Sequence, residues 1–67
     1  MIDDKYVRKF FEERFNRTPE SDPNYYRQWW VRLNSDNPGK WMDSETRGVY
    51  TRILREMTFE EIKTQNS

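Results

Sequence analysis

Residues 22–33 carry the feature that most restricts the fold: an Asp22-Pro23 pair followed by Tyr26, Trp29, Trp30 and Leu33 at i, i+3, i+4 and i+7. That spacing places four large apolar side chains on one face of a helix and fits no strand, whose faces alternate every second residue. Asp22 offers an oxygen to the first free backbone N–H groups. Pro23 suits the first helical position, where its missing N–H has no partner to lose. The pattern predicts a helix over about residues 22–34.

Two further stretches repeat the logic. Val7, Phe10, Phe11 and Phe15 form one stripe, with Asp3 as cap and Ile2 at hydrophobic-staple spacing from Val7, so a helix is expected over about 3–16. It must end before Thr18, because Pro19 pushes the preceding residue out of helical geometry. A turn-rich loop from Asn34 to Gly39 breaks at Pro38-Gly39. Asp43 or Ser44 then opens a third helix, over about 44–57, with Val49, Tyr50, Ile53, Leu54 and Met57 on one side. Thr58-Phe59-Glu60-Glu61 reads as a capping box, with Met57 and Ile62 at staple spacing across it, which predicts a kink and a short fourth helix over about 58–64. Residues 65–67 are expected to fray. The fold expected is all-α, a compact single-domain bundle (1–67) of three main helices plus a short C-terminal fourth helix.

A chain of 67 residues has room for one core, and buries only about 60% of the surface its unfolded form exposes. Apolar residues are 33% of the chain, aromatics alone are 16%, and alanine is absent, so a few bulky groups must fill the interior. The expected core is Phe10, Phe11, Phe15, Tyr26, Trp29, Trp30, Leu33, Val49, Ile53 and Leu54. A charged fraction of 36% would suit disorder if the apolar residues were scattered, and they are not. No cysteine is present, which fits a reducing compartment, and no apolar run has the length of a signal-peptide core or a membrane span. A cytoplasmic location is expected.

Catalysis has little to work with. Histidine and cysteine, the commonest general base and the most readily activated nucleophile, are both missing. The carboxylate pairs Asp3-Asp4, Glu12-Glu13 and Glu60-Glu61 are sequence neighbours, which diverge by roughly 100° on a helix and cannot converge on one substrate atom. Gly39 and Gly48 are the only glycines, too few for a phosphate loop. No enzyme activity and no cofactor are expected. The stretch from Asn34 to Glu45 has Gly39 and Glu45 at the sixth and twelfth positions of a calcium loop, and Asp36 at the third. It has Asn34 in place of the leading aspartate and Pro38 where a side-chain oxygen is needed, so no metal site is expected.

Charge is balanced overall but not along the chain. Residues 24–55 carry six cations (Arg27, Arg32, Lys40, Arg47, Arg52, Arg55) against Asp36, Asp43 and Glu45. Arg47, Gly48, Arg52 and Arg55 fall on the helix face opposite the apolar stripe, a candidate nucleic-acid footprint, although a net charge of zero and a pI near 6.2 do not favour phosphate binding.

The aromatics point elsewhere. A domain this small can hardly cover every large side chain it carries, and Tyr25, Val31, Trp41 and Met42, rimmed by Arg27, Arg32 and Lys40, have the composition of an interface hot spot. In size and composition the chain resembles the small accessory or inhibitor proteins of phages and mobile elements. The function expected is that of a non-enzymatic protein-binding module, anchored by the aromatic patch while the arginines set register with acidic groups on the partner. Nucleic-acid binding through the arginine face and self-association as a homodimer are the alternatives.

Overall fold

A computed structural model describes residues 2–65, and among these there are three α-helices and no strand. The helices are α1 (Asp4–Phe15), α2 (Pro23–Leu33) and α3 (Ser44–Gln65), with one 3₁₀ turn at Pro38–Trp41 between α2 and α3.

Each boundary has a local cause. Asp3 stands at the start of α1, but its side chain makes no capping bond; its carbonyl accepts from the Tyr6 and Val7 N–H groups. The entry is fixed instead by Ile2, whose side chain is buried and whose N–H donates to Asn34 Oδ1 at 2.9 Å. α1 stops where Asn16 turns left-handed (φ 55), a conformation asparagine tolerates better than most residues. α2 begins as its sequence implies, Asp22 accepting from the Tyr25 N–H at 3.3 Å with Pro23 behind it. At the head of α3, Asp43 Oδ1 accepts from the Thr46 N–H at 2.8 Å.

Helix α1 is the hub. It packs against both α2 and α3, while those two make little direct contact with each other. Phe10 shows why: it is fully buried, its ring 5.5 Å from that of Trp29 on α2 and 6.4 Å from that of Tyr50 on α3. Val7, Phe11 and Ile53 are equally buried, and Tyr6, Leu33 and Met42 complete the core. Ile2, Tyr6, Val7 and Met42 are additions to the expected core, whereas Phe15, Tyr26, Trp30 and Val49 are only partly buried against it. Leu54 departs from it, being 36% exposed, because it sits a quarter turn off the Ile53 face that meets α1.

The short fourth helix does not form. α3 is a single helix of 22 residues that passes through Thr58 without a break. The Thr58 hydroxyl, expected to cap a new helix, donates to the Leu54 carbonyl one turn back at 3.0 Å, a bond available only inside a continuing helix. Glu60, inside the expected box, turns to α1, where it accepts from the Tyr6 hydroxyl and from Lys5 at 3.2 Å. Of the tail expected to fray, Gln65 is the last residue of α3, and residues 66 and 67 lie outside the described residues.

Carboxylates that tie the helices together have depressed pKa values. The Tyr6 hydroxyl, then Lys5, holds Glu60 below the ordinary value; the Thr46 hydroxyl and N–H do the same for Asp43, and Arg8 does so for Glu20. A depressed carboxylate binds its proton less readily folded than unfolded. Its stabilisation is therefore present above the unfolded pKa of about 4 and lost as pH falls through the lower folded value. The melting temperature is expected to hold between about pH 7 and 5 and to drop below about pH 4. Equal melting temperatures at about pH 7 and pH 3 would contradict this.

Candidate interaction surface

The 3₁₀ turn decides which of the surplus aromatics reaches solvent. Met42 is buried, and a chain in extended geometry at Met42 cannot send the preceding side chain the same way. Trp41 is accordingly left 39% exposed beside α2, where Val31 is 60% exposed. Of the four apolar residues expected to form a patch, these two remain. Met42 belongs to the core, and Tyr25 is half-buried, its ring 5.1 Å from Phe15 and 5.9 Å from Phe11.

Around Val31 and Trp41 the surface is basic. Asn24, Arg27, Gln28, Val31, Arg32 and Trp41 line one shallow groove, successive turns of α2 supplying its floor and the 3₁₀ turn its wall. The Arg32 guanidinium lies 5.0 Å from the Trp29 ring centre and 5.8 Å from that of Trp41, and the Lys40 ammonium is 4.3 Å from the Trp41 ring. These cations are held by π-faces, leaving their hydrogen-bond donors free for a partner. Arg27 is exposed and, among the described residues, forms no ion pair.

The outer face of α3 is divided. Arg47, Gly48, Arg52 and Arg55 are all exposed, as their positions on the helix imply. Arg52 is committed to Glu13 on α1 at 2.6 Å, and Arg47 donates to the Gly39 carbonyl at 3.1 Å. Among the described residues, Arg55 alone of the three makes no such bond. Gly48 does not mark a close approach: a Cβ placed there meets nothing within 4 Å, and its φ is negative. Gly48→Ala is therefore expected to stabilise the protein by about 0.5–1 kcal/mol, read as a higher urea midpoint. A lower midpoint would mean that the position needs glycine after all.

Sequence reasoning missed a second exposed apolar pair. Phe59 (68% exposed) and Ile62 (51%) stand outside the buried stripe of α3, and Phe59 lines a groove with Lys9 of α1, Arg52, Arg55, Glu56 and Glu60. The signal was there. Carrying the period of Val49, Ile53 and Met57 straight through residue 58 puts both side chains outside the buried stripe.

The loop tested as a calcium site is otherwise engaged. Asn34 accepts from Ile2 and donates to the Trp30 carbonyl, Asp43 caps α3, and Glu45 faces Arg14 at 3.8 Å. Among the described residues no three metal-binding side chains cluster, and no helix is long and apolar enough to cross a membrane.

No family model, no curated protein and no solved structure matches the chain.

Proposed function

We propose that the protein is a non-enzymatic, cytoplasmic binding module of the accessory or inhibitor type, which grips another protein through Val31 and Trp41. The observation that supports this is their exposure. Two apolar side chains lie open side by side on a rigid helix and an anchored turn, framed by Arg27 and Arg32, although each of the other rings of α2 has found cover. Large apolar groups inside a rim of arginine are the usual composition of a binding hot spot. The arginine face of α3 is the weaker alternative, since Arg52 is paired with Glu13 on α1 and Arg47 is tied by one N–H to the 3₁₀ turn at Gly39.

A double variant, Val31→Ala with Trp41→Ala, separates the readings. The wild-type chain, immobilised and exposed to lysate of its native host, is expected to retain a protein that survives nuclease treatment. The double variant should lose it, while Phe59→Ala, in a different groove, should keep it. A hot-spot pair of this kind is worth about 2–4 kcal/mol, roughly thirty-fold or more in affinity. Retention unchanged in the double variant, or retention that nuclease abolishes, rejects the proposal.

A further inference from the structure

A net charge of zero conceals a separation of charge. Among the described residues, every ion pair but Arg17–Asp22 has a member on α1: Lys5–Glu60, Arg8–Glu12, Arg8–Glu20, Lys9–Glu56, Arg14–Asp43, Arg14–Glu45 and Arg52–Glu13. Seven acidic side chains are consumed there. Other cations are left without acids. Arg27 and Arg32 line one groove with Val31 and Trp41, Lys40 lies over the Trp41 ring, and none of the three forms an ion pair. Arg47 joins them. Its donation to the Gly39 carbonyl ties a residue of α3 to the same 3₁₀ turn that carries Lys40 and Trp41, two side chains that the sequence assigned to a different surface. Asp36, the acid of the intervening loop, pairs with none of the four.

We infer that Arg27, Arg32, Lys40 and Arg47 form one basic cluster around Trp41 that recognises an acidic peptide segment, with an aliphatic side chain between its carboxylates seated on Val31 and Trp41. The inference rests on the protein-binding reading above and adds to it the chemistry of the partner and the participation of α3. Charge complementarity supplies the anion, because among the described residues no acid forms an ion pair with these cations. The apolar floor favours peptide over nucleic acid. Binding of single strands relies on open aromatic faces on which bases stack. The Trp41 ring already carries Lys40 and Arg32, and the freely accessible neighbour is the aliphatic Val31. Carboxylates between aliphatic groups meet both halves of this surface, and planar bidentate contact suits the guanidinium groups of Arg27 and Arg47.

A library of random dodecapeptides displayed on phage and selected on the immobilised, full-length protein tests this directly. The enriched sequences are expected to carry acidic residues well above their library frequency, flanking leucine, isoleucine or valine. A selected peptide should bind Arg27→Ala and Arg47→Ala roughly three- to tenfold more weakly, with a shallower dependence on salt than wild type, and bind Arg55→Ala as it binds wild type. Oligothymidylate of matching charge should compete poorly. Enrichment without acidic residues, no enrichment at all, undiminished binding to Arg47→Ala, or stronger binding of oligothymidylate each overturns the inference. Failure of the underlying reading looks different. Peptides that depend on Trp41 but carry no acids sink the basic cluster alone, whereas binding indifferent to the Val31→Ala, Trp41→Ala pair sinks both.

Discussion

Replacing Phe10 with alanine is expected to abolish the folded state at ordinary temperature. Phe10 is fully buried, and its ring meets Phe15 on its own helix, Trp29 on α2 and Tyr50 on α3, at centroid distances of 6.3, 5.5 and 6.4 Å. Since α2 and α3 scarcely touch each other, the three-helix assembly depends on what α1 places between them. A buried phenylalanine cut to alanine costs about 3–5 kcal/mol, from lost transfer energy and from the cavity left behind. A single core in a chain of this size rarely supplies more than about 3–5 kcal/mol in total, so the two quantities are comparable and the balance is lost. Far-UV circular dichroism should show most of the helical signal gone at about 25 °C, where helices of 11 and 12 residues do not persist without tertiary support. Phe59→Ala gives the contrast: the same residue type at 68% exposure should leave the melting temperature within a few degrees of wild type. A Phe10→Ala protein that melts cooperatively close to wild type would mean that the core can close over the gap, and that α1 is not the hub.

How much of this was legible in the sequence varies with the distance over which each feature is decided. The start of α2 is settled within three residues, by Asp22, Pro23 and the Tyr25 N–H, and the sequence shows it plainly. The face of α1 is equally local, being a stripe of Val7, Phe10 and Phe11. The surface around Trp41 is harder. Its exposure follows from Met42 turning inward, and which of two adjacent large residues is buried depends on what α2 presents to the turn. Arg47 is harder still, because a helical wheel says which side of α3 it leaves from but not that the 3₁₀ turn lies there. The segregation of charge has no local signature at all, since Glu13 pairs with Arg52 and Glu60 with Lys5 across 39 and 55 positions. Composition sums these charges to zero, and only the fold separates them.

Residue 58 offers the sharpest separation of local pattern from tertiary outcome, and two substitutions there have opposite expected signs. Thr58-Phe59-Glu60-Glu61 satisfies the capping-box pattern whether or not a helix starts at it, because threonine bonds either forward to its own cap or back to the carbonyl four residues earlier. The structure takes the second course: Thr58 donates to Leu54, and Glu60 is drawn to Tyr6 and Lys5. In a continuous helix, Thr58→Pro removes a backbone hydrogen bond and drives its ring against the Leu54 carbonyl, a cost of about 3 kcal/mol or more. The protein must then either melt roughly 10 °C or more lower, or release the last two turns of α3 together with the Glu60 contacts, which the helical NMR shifts of Phe59 to Lys63 would report. Thr58→Ala should do the reverse and stabilise slightly, by up to about 0.5 kcal/mol, since alanine is the better helix former and no cap is lost. At a true N-cap the same change would destabilise by about 1 kcal/mol, and proline one residue from the start of a helix would be tolerated. A harmless proline together with a harmful alanine would restore the break at Met57, whereas a harmful proline with a neutral or helpful alanine fixes α3 as the single long helix on which Arg47, Arg52 and Phe59 are set out.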